Sequence, residues 1–271
     1  MSRAMPSFRY EIIVADDGST DPTFVVDNLV IDSMSHCRYV VRRENVGRSA
    51  IRNFLVREAH YDWLLFIDSD ARIVCSDYLS RYLSIPAGYG VVNGGVRVCE
   101  PLFSKRSSLR YLYEKHAMPS HSVEKRKSRP YNSFRTTNFL VRREVALAHP
   151  FDERLRRYGY EDVLFGKAMR ESGIAILHID APVGMGSFED NAAFVQKTEE
   201  GLQTLHAFRQ ELAGYSSMLA VVEKLRRWRL LPLVLRFHRL FGSMERRVLL
   251  SSHPCLLVFR LYKLGYFLSL G

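Results

Sequence analysis

Short apolar runs rich in β-branched residues recur along the chain, and several stop abruptly at acidic residues. Positions 10–15 (YEIIVA) run into Asp16-Asp17-Gly18-Ser19, and positions 63–67 (WLLFI) run into Asp68-Ser69-Asp70. Each reads as a buried strand that ends in a loop. Further strands are expected at 37–41, 90–98, 138–141 and 174–179. Between them the spacing lengthens to that of helices: 22–33; 47–60, where Ile51, Leu55 and Val56 share one side; and 161–171, closed by Gly173. Strands alternating with helices predict an α/β fold with a mostly parallel sheet flanked by helices. Ligands of such sheets gather at the carboxyl ends of strands, where both acidic clusters stand.

The pattern changes at about residue 215. From 225 to 241, Arg226, Arg227, Arg229, Arg236 and Arg239 alternate with Trp228, Leu230, Leu231, Leu233, Leu235 and Phe237, and Pro232 is expected to kink this helix. The chain therefore divides into an α/β body, 1–214, and a basic amphipathic helical tail, 215–271. The segment 255–270 is apolar, but Arg260 and Lys263 interrupt it, and it is shorter than the ~20 residues of a spanning helix.

Composition narrows the classes. With 271 residues, 47% of them hydrophobic and 25% charged, the chain is an ordinary globular protein. Cys37, Cys75, Cys99 and Cys255 stand far apart, without zinc spacing, which fits a reducing, cytoplasmic compartment; no secretion signal opens the sequence. The formal net charge of +10 is localised. Residues 101–135 hold nine Lys/Arg against two Glu, and 215–271 hold ten against two, so the remainder is mildly acidic. That distribution argues against a nucleic-acid-coating protein. The tail fits an anionic membrane interface, or a helix packed on the body. The 101–135 segment reads as a solvated loop or as a flap over a phosphate-bearing acceptor.

Three clusters could carry chemistry. Asp68 and Asp70, one residue apart at a strand end, form either a solvated turn or a site where one divalent cation holds a diphosphate. Asp16, Asp17 and Ser19 form either a capped turn or a place for ribose hydroxyls or a base, and Arg48, in Asn45-Val46-Gly47-Arg48, opens a cationic helix. Glu161 and Asp162, after Gly159-Tyr160, suit the helix dipole alone, or supply a general base for an attacking hydroxyl.

Taken in order, EIIVADDGSTD, RRENVGRSAIRN, WLLFIDSDA, TTNFLVRREV and GYEDVLFGKAM resemble an inverting glycosyltransferase of family 2 with the GT-A fold, over roughly residues 10–180. The resemblance implies that Asp16 and Asp17 lie near the base and ribose of a nucleotide-sugar. It implies that Asp68 and Asp70 match the metal-binding DxD for Mn²⁺ or Mg²⁺, with Asp70 favoured as direct ligand. Asp162 then matches the catalytic base, and Glu161 helps hold the acceptor. The implied activity is hexosyl transfer with inversion to a saccharide or lipid-linked acceptor, in surface polysaccharide or glycolipid synthesis. The enzyme would work peripherally at the inner face of the cell membrane.

Two departures from the family pattern are visible. The usual first strand and helix, opening with a Pro-x-Tyr-Asn-like sequence, are missing, so the body is expected to be truncated relative to the family and the strand at 10–15 to keep an unpaired edge. Where the family often has a His after Pro-Val, this chain has Met185 among glycines, a poor ligand for a hard cation, while His178 lies within a strand. These departures support a competing reading, a catalytically impaired GT-A remnant acting as a binding protein. A nucleotidyltransferase or phosphatase using the DxD leaves Gly-Tyr-Glu-Asp without a purpose.

Overall fold

The computed structural model describes residues 9–100 and 107–271. The first acidic-ended run becomes β1 (Ile12–Asp16), which pairs in parallel with β2 (Cys37–Val41), Ile12 opposite Cys37. Between them lies α1 (Pro22–Asn28), begun by Asp21, whose carboxylate accepts from the Thr23 amide, with Pro22 in the first turn; a 3₁₀ turn, Leu29–Ser33, follows. No described strand pairs with the other edge of β1, and Ile12 is 48% exposed.

Helix α2 (Arg48–Glu58) leads to β3 (Trp63–Ile67), and the DxD turn connects β3 to β4 (Ala71–Ile73). After α3 (Tyr78–Leu83) come β5 (Val91–Asn93) and β6 (Val96–Val98). The expected single strand over 90–98 is thus two. Gly95 has φ +87°, and a Cβ on Gly94 would collide with the Tyr82 hydroxyl, the Ala181 carbonyl and the Asn138 amide, so the chain bends here. Helices α4 (Leu109–Ala117) and α5 (Val123–Ser128) precede β7 (Asn138–Arg142) and α6 (Arg143–Ala148). Helix α7 (Glu161–Glu171), β8 (Ile176–His178) and β9 (Val183–Met185) complete the body's sheets.

The α/β layering and flanking helices are as expected, but the sheets are mixed rather than mostly parallel. The order is β3-β7-β5-β8, with β7 antiparallel to both neighbours, and β4-β9-β6 with β4 antiparallel to β9. The chain leaves β5 at Asn93 and re-enters β7 opposite it at Phe139, so β7 must run the other way. An apolar run does not report strand direction. Successive residues of β5 and β7 point to opposite faces. Val91, Phe139 and Val141 pack with Val56 of α2 and Phe165 and Met169 of α7, while Val92 and Leu140 pack with Tyr78 and Tyr82 of α3.

Helix α8 (Asn191–Ala207) ends the body, and the tail comprises α9 (Ser217–Arg227), α10 (Leu231–Leu250) and α11 (Leu256–Ser269). It is docked on the body: Phe259 and Tyr262 of α11 share a core with Phe194 and Val195 of α8 and Leu109 of α4. Pro232 does not kink a helix. It sits in the first turn of α10, where its missing N–H is harmless, and the chain breaks instead at Arg229, which has φ +57°. Among the described residues no helix is long and apolar enough to cross a membrane.

The basic 101–135 segment, described from 107 on, is neither a solvated loop nor a free flap. Leu109 and Tyr111 are buried, and the Arg126 guanidinium, also buried, donates to the carbonyls of Asn93, Gly94, Ile179 and His121. The Asn93, Gly94 and Ile179 carbonyls lie at the bends after β5 and β8, so α5 is fastened to the sheet. Positions 101–106 lie outside the described residues.

Candidate active site

Five chain segments meet at the carboxyl ends of β1 and β3. Asp16 accepts from the amide and hydroxyl of Ser19, 2.7 and 2.6 Å away, which closes the first acidic turn on itself. Both oxygens of Asp17 are taken by the amides of Val46 and Gly47, at 3.1 and 3.0 Å. Asp17 therefore fixes the loop that starts α2. Gly47 has φ +88°, and a Cβ there would lie 3.0 Å from the Arg156 carbonyl, so this loop touches the segment leading into α7. Asn53 binds that segment at Phe151 and Glu153, and Arg48 stacks over Tyr158 at 4.7 Å.

Helix α2 presents Arg48 and Arg52, one turn apart, to the acidic groups. Arg52 is buried and bridges: one amino group is 2.9 Å from Asp68, the other 3.3 Å from Glu161. Arg48, half exposed, lies 4.0 Å from Glu161. The ends of β3 and the start of α7 are thereby joined through one guanidinium. Of the expected residues, Asp68, Glu161, Asp162 and Arg48 converge here, and Asp16, Asp17 and Ser19 occupy the adjoining loops. Asp70 is exposed in the turn after β3.

Helix α7 is entered through Gly159, at φ +97°, and Tyr160, at φ +70° and ψ 0°. A bulky residue in the left-handed region costs of order 1–3 kcal/mol and marks a conformation held by its surroundings. Tyr160 is held by packing with Leu202 and Leu205 of α8, and the flanking Tyr158 amide and carbonyl bind Glu200 and Thr204. The result places Glu161 and Asp162 in the first turn. Burial pushes the Asp162 carboxyl up to about 6, the charge of Glu161 adds to the rise, and Arg135 and Arg52 oppose it. A carboxyl tuned toward neutrality is suited to accept a proton at physiological pH.

Sequence reasoning did not single out Arg52 from its stretch, although the Arg48/Arg52 spacing carried the signal. It missed Arg135, which faces Asp162 electrostatically, lies 3.9 Å from the buried Glu114 and 3.1 Å from His121. No local pattern distinguishes Arg135 from the other cations of its segment. His178 is structural: its Nε2 donates to the Pro130 carbonyl at 2.8 Å, and Arg126 donates to its Nδ1 at 3.0 Å. Burial lowers its pKa to about 4.

Asp68 and Asp70 offer hard carboxylate oxygens beside open solvent, a donor chemistry that fits Mn²⁺ or Mg²⁺ sharing its shell with a diphosphate. Among the described residues no third His, Cys, Asp or Glu gathers with them. Strand pairing puts Met185 opposite Ala71, one residue past Asp70. Farther along β4, Arg72 lines a cavity of about 730 Å³ with Ser108, Glu189, Asn191 and the α10–α11 turn at Leu250 and Ser252.

Comparison with known proteins gives the family and the fold. Residues 3–148, more than half of the chain, match the family model described as glycosyl transferase family 2. The glycosyltransferase AglE of Haloferax volcanii is 27% identical over 189 residues, 68% of this chain and 58% of its own length. An uncharacterized glycosyltransferase of Haemophilus influenzae is 34% identical over 74 residues, 27% of this chain and 29% of its own. The chain thus spans little more than half of the one relative and under a third of the other. A solved structure, the mannosyltransferase PcManGT of Pyrobaculum calidifontis in complex with GDP-Man and Mn²⁺, superposes with a TM-score of 0.55 at 16% identity, over 96% of this chain and 75% of that one. The fold is GT-A, and the chain belongs to glycosyl transferase family 2.

Proposed function

We propose that this protein moves a hexosyl group, with inversion, from a nucleotide-diphospho-sugar to the hydroxyl of a saccharide or lipid-linked acceptor. The setting proposed is surface polysaccharide or glycolipid synthesis at the cytoplasmic face of a membrane. The observation that carries the reading is the Asp68–Arg52–Glu161 chain, which ties the DxD strand end to the helix that bears Asp162.

In this reading Asp162 takes the proton of the acceptor hydroxyl as its oxygen bonds to the anomeric carbon and the bond from that carbon to the diphosphate breaks. A single displacement by the acceptor oxygen, on the face opposite the leaving diphosphate, inverts the centre. Glu161, held by Arg52 and Arg48, keeps its carboxylate fixed for acceptor hydroxyls, and Arg48 offers the nearest half-exposed cation for a donor phosphate. Asp16 and Ser19 adjoin this place from β1, and Asp17 positions Arg48 through the 46–47 loop. Asp68 and Asp70 would hold Mn²⁺ or Mg²⁺, which when bound neutralises charge on the diphosphate.

The test is calorimetric binding and transfer with the purified chain, Mn²⁺ and a panel of nucleotide-sugars. Binding of at least one donor, with transfer to an acceptor, is expected; failure to bind any overturns the reading. Met185 beside the DxD turn favours a second reading, a catalytically impaired binding protein, which predicts donor binding without transfer.

A further inference from the structure

Helix α10 is apolar on two sides: Leu249 and Leu231 face the core, and a second apolar stripe faces outward. Its inner side carries a polar pair, His238 and Glu245, 2.8 Å apart with side chains 12% and 7% exposed, against α11, where Gly265 leaves room for the His238 ring. Its outer side carries Leu233, Phe237, Leu240, Phe241 and Met244, from 39% to 65% exposed. At helical spacing these fall in one stripe about 100° wide. The exposed Arg236, Arg239 and Arg247 run along one margin of that stripe, and Glu245, the helix's one acidic residue, is buried on the opposite side. Just before the helix, Trp228 is 62% exposed between Arg227 and Arg229.

A contiguous apolar stripe facing solvent marks a docking surface. Its chemistry names the occupant. A second copy of this face would bring the same arginines and no acid to meet them, whereas a layer of lipid phosphates over acyl chains answers both halves. We propose that α10 lies flat on an anionic bilayer, with Leu233, Phe237, Leu240, Phe241 and Met244 at the headgroup–acyl boundary and Arg236, Arg239 and Arg247 on lipid phosphates. This deepens the glycosyl-transfer reading by naming the surface that carries a lipid-linked acceptor, and it rests on that reading only for the acceptor's identity. A flat α10 also sets its α11 turn, and with it the cavity beside Arg72, at headgroup level.

The experiment is flotation of the full chain with vesicles of phosphatidylcholine, with or without phosphatidylglycerol, and it needs no turnover. Binding to the anionic vesicles, weakened by salt, is expected. The pair Phe237→Ser and Leu240→Ser is expected to reduce bound protein about tenfold. Arg236→Gln with Arg239→Gln should remove the preference for phosphatidylglycerol. Circular dichroism melting and donor binding of these variants should match the parent, which separates loss of the surface from loss of the fold or of the catalytic reading. Vesicle binding unchanged in the serine variant, absence of binding by the parent, or concentration-dependent self-association abolished by the same substitutions would each overturn the proposal.

Discussion

The guanidinium of Arg52 stands between Asp68 and Glu161, 2.9 Å from one and 3.3 Å from the other, with its own side chain only 8% exposed. No other described group pairs with both carboxylates. Arg52→Met leaves the buried Glu161 with only the 4.0 Å contact to Arg48, and a loss of about 3 kcal/mol in stability is expected by urea unfolding. Arg52→Lys keeps the charge but not the fork. It should cost stability less and reduce kcat/KM by about 10- to 100-fold, because the two carboxylates are no longer held in one geometry.

Asp162 is expected to set the acid limb of the rate profile. Its pKa is raised to about 6, so the ionised, proton-accepting form is lost as pH falls below that value. Transfer should fall about tenfold for each pH unit below 6 and level off above it. The same shift acts oppositely on folding: between the ordinary carboxyl range and pH 6 the folded chain holds a proton that the unfolded chain has released, so this group costs stability as pH rises through that window. Asp162→Asn should lower kcat by about 10²–10⁴ with donor affinity unchanged in calorimetry. Equal loss of both would remove Asp162 from the role of base.

Met185 provides a gain-of-affinity test. Because β9 places it opposite Ala71, Met185→His adds an imidazole beside Asp70. The Mn²⁺ concentration for half-maximal donor binding is expected to fall, by about 10-fold for one added nitrogen ligand. Asp70→Ala should raise it, and chelation should abolish transfer until Mn²⁺ is restored. Donor binding indifferent to all of these would refute ligation by Asp70.

Asn138 is a stability prediction. Its carbonyl oxygen accepts from the Tyr78 and Tyr82 hydroxyls at 2.6 and 2.7 Å, and its amide donates to the carbonyls of Gly95 and Ala181 at 2.8 Å each. Every polar group of the side chain is used, in a buried position that faces Ile67 across the β3–β7 ladder. Asn138→Leu removes four buried hydrogen bonds, although the Gly95 carbonyl keeps the Val183 amide, and is expected to cost about 3 kcal/mol, read as a lowered midpoint in thermal and urea unfolding. A midpoint shift under about 1 kcal/mol would show that water replaces the side chain.

What the sequence made legible follows from how local each feature is. The strands at 37–41 and 63–67 and the helix at 161–171 are apolar runs with acid, Gly or cap punctuation, and the structure has them at those positions. The direction of β7 was not legible, because it is decided by Asn93 and Phe139 meeting across a long excursion. The role of Arg126 was hidden for the same reason: its partners are carbonyls around residues 93, 94 and 179, and a carbonyl leaves no mark on a side-chain pattern. At the site, the carboxylates announced themselves as strand-end and helix-start clusters. Arg52 did not, since its meaning arises only when α2 brings it between two groups distant in sequence.

The β1–β2 ladder has a consequence for how the molecule breathes. A two-stranded ladder is marginal on its own, and this one, two-stranded among the described residues, is tied to the body by the packing of Ile13 and by side-chain clamps: Glu11 to His60, Arg38 to Glu58 and Asp17 to the 46–47 loop. It therefore forms a low-energy opening unit, whose amides exchange with solvent well before those of β5 and β7. Asp16 and Asp17 ride on that unit. A ligand that engages their loops must hold it closed, so its affinity is reduced by the fraction of time the unit is open, and tightening any one clamp strengthens binding from a distance.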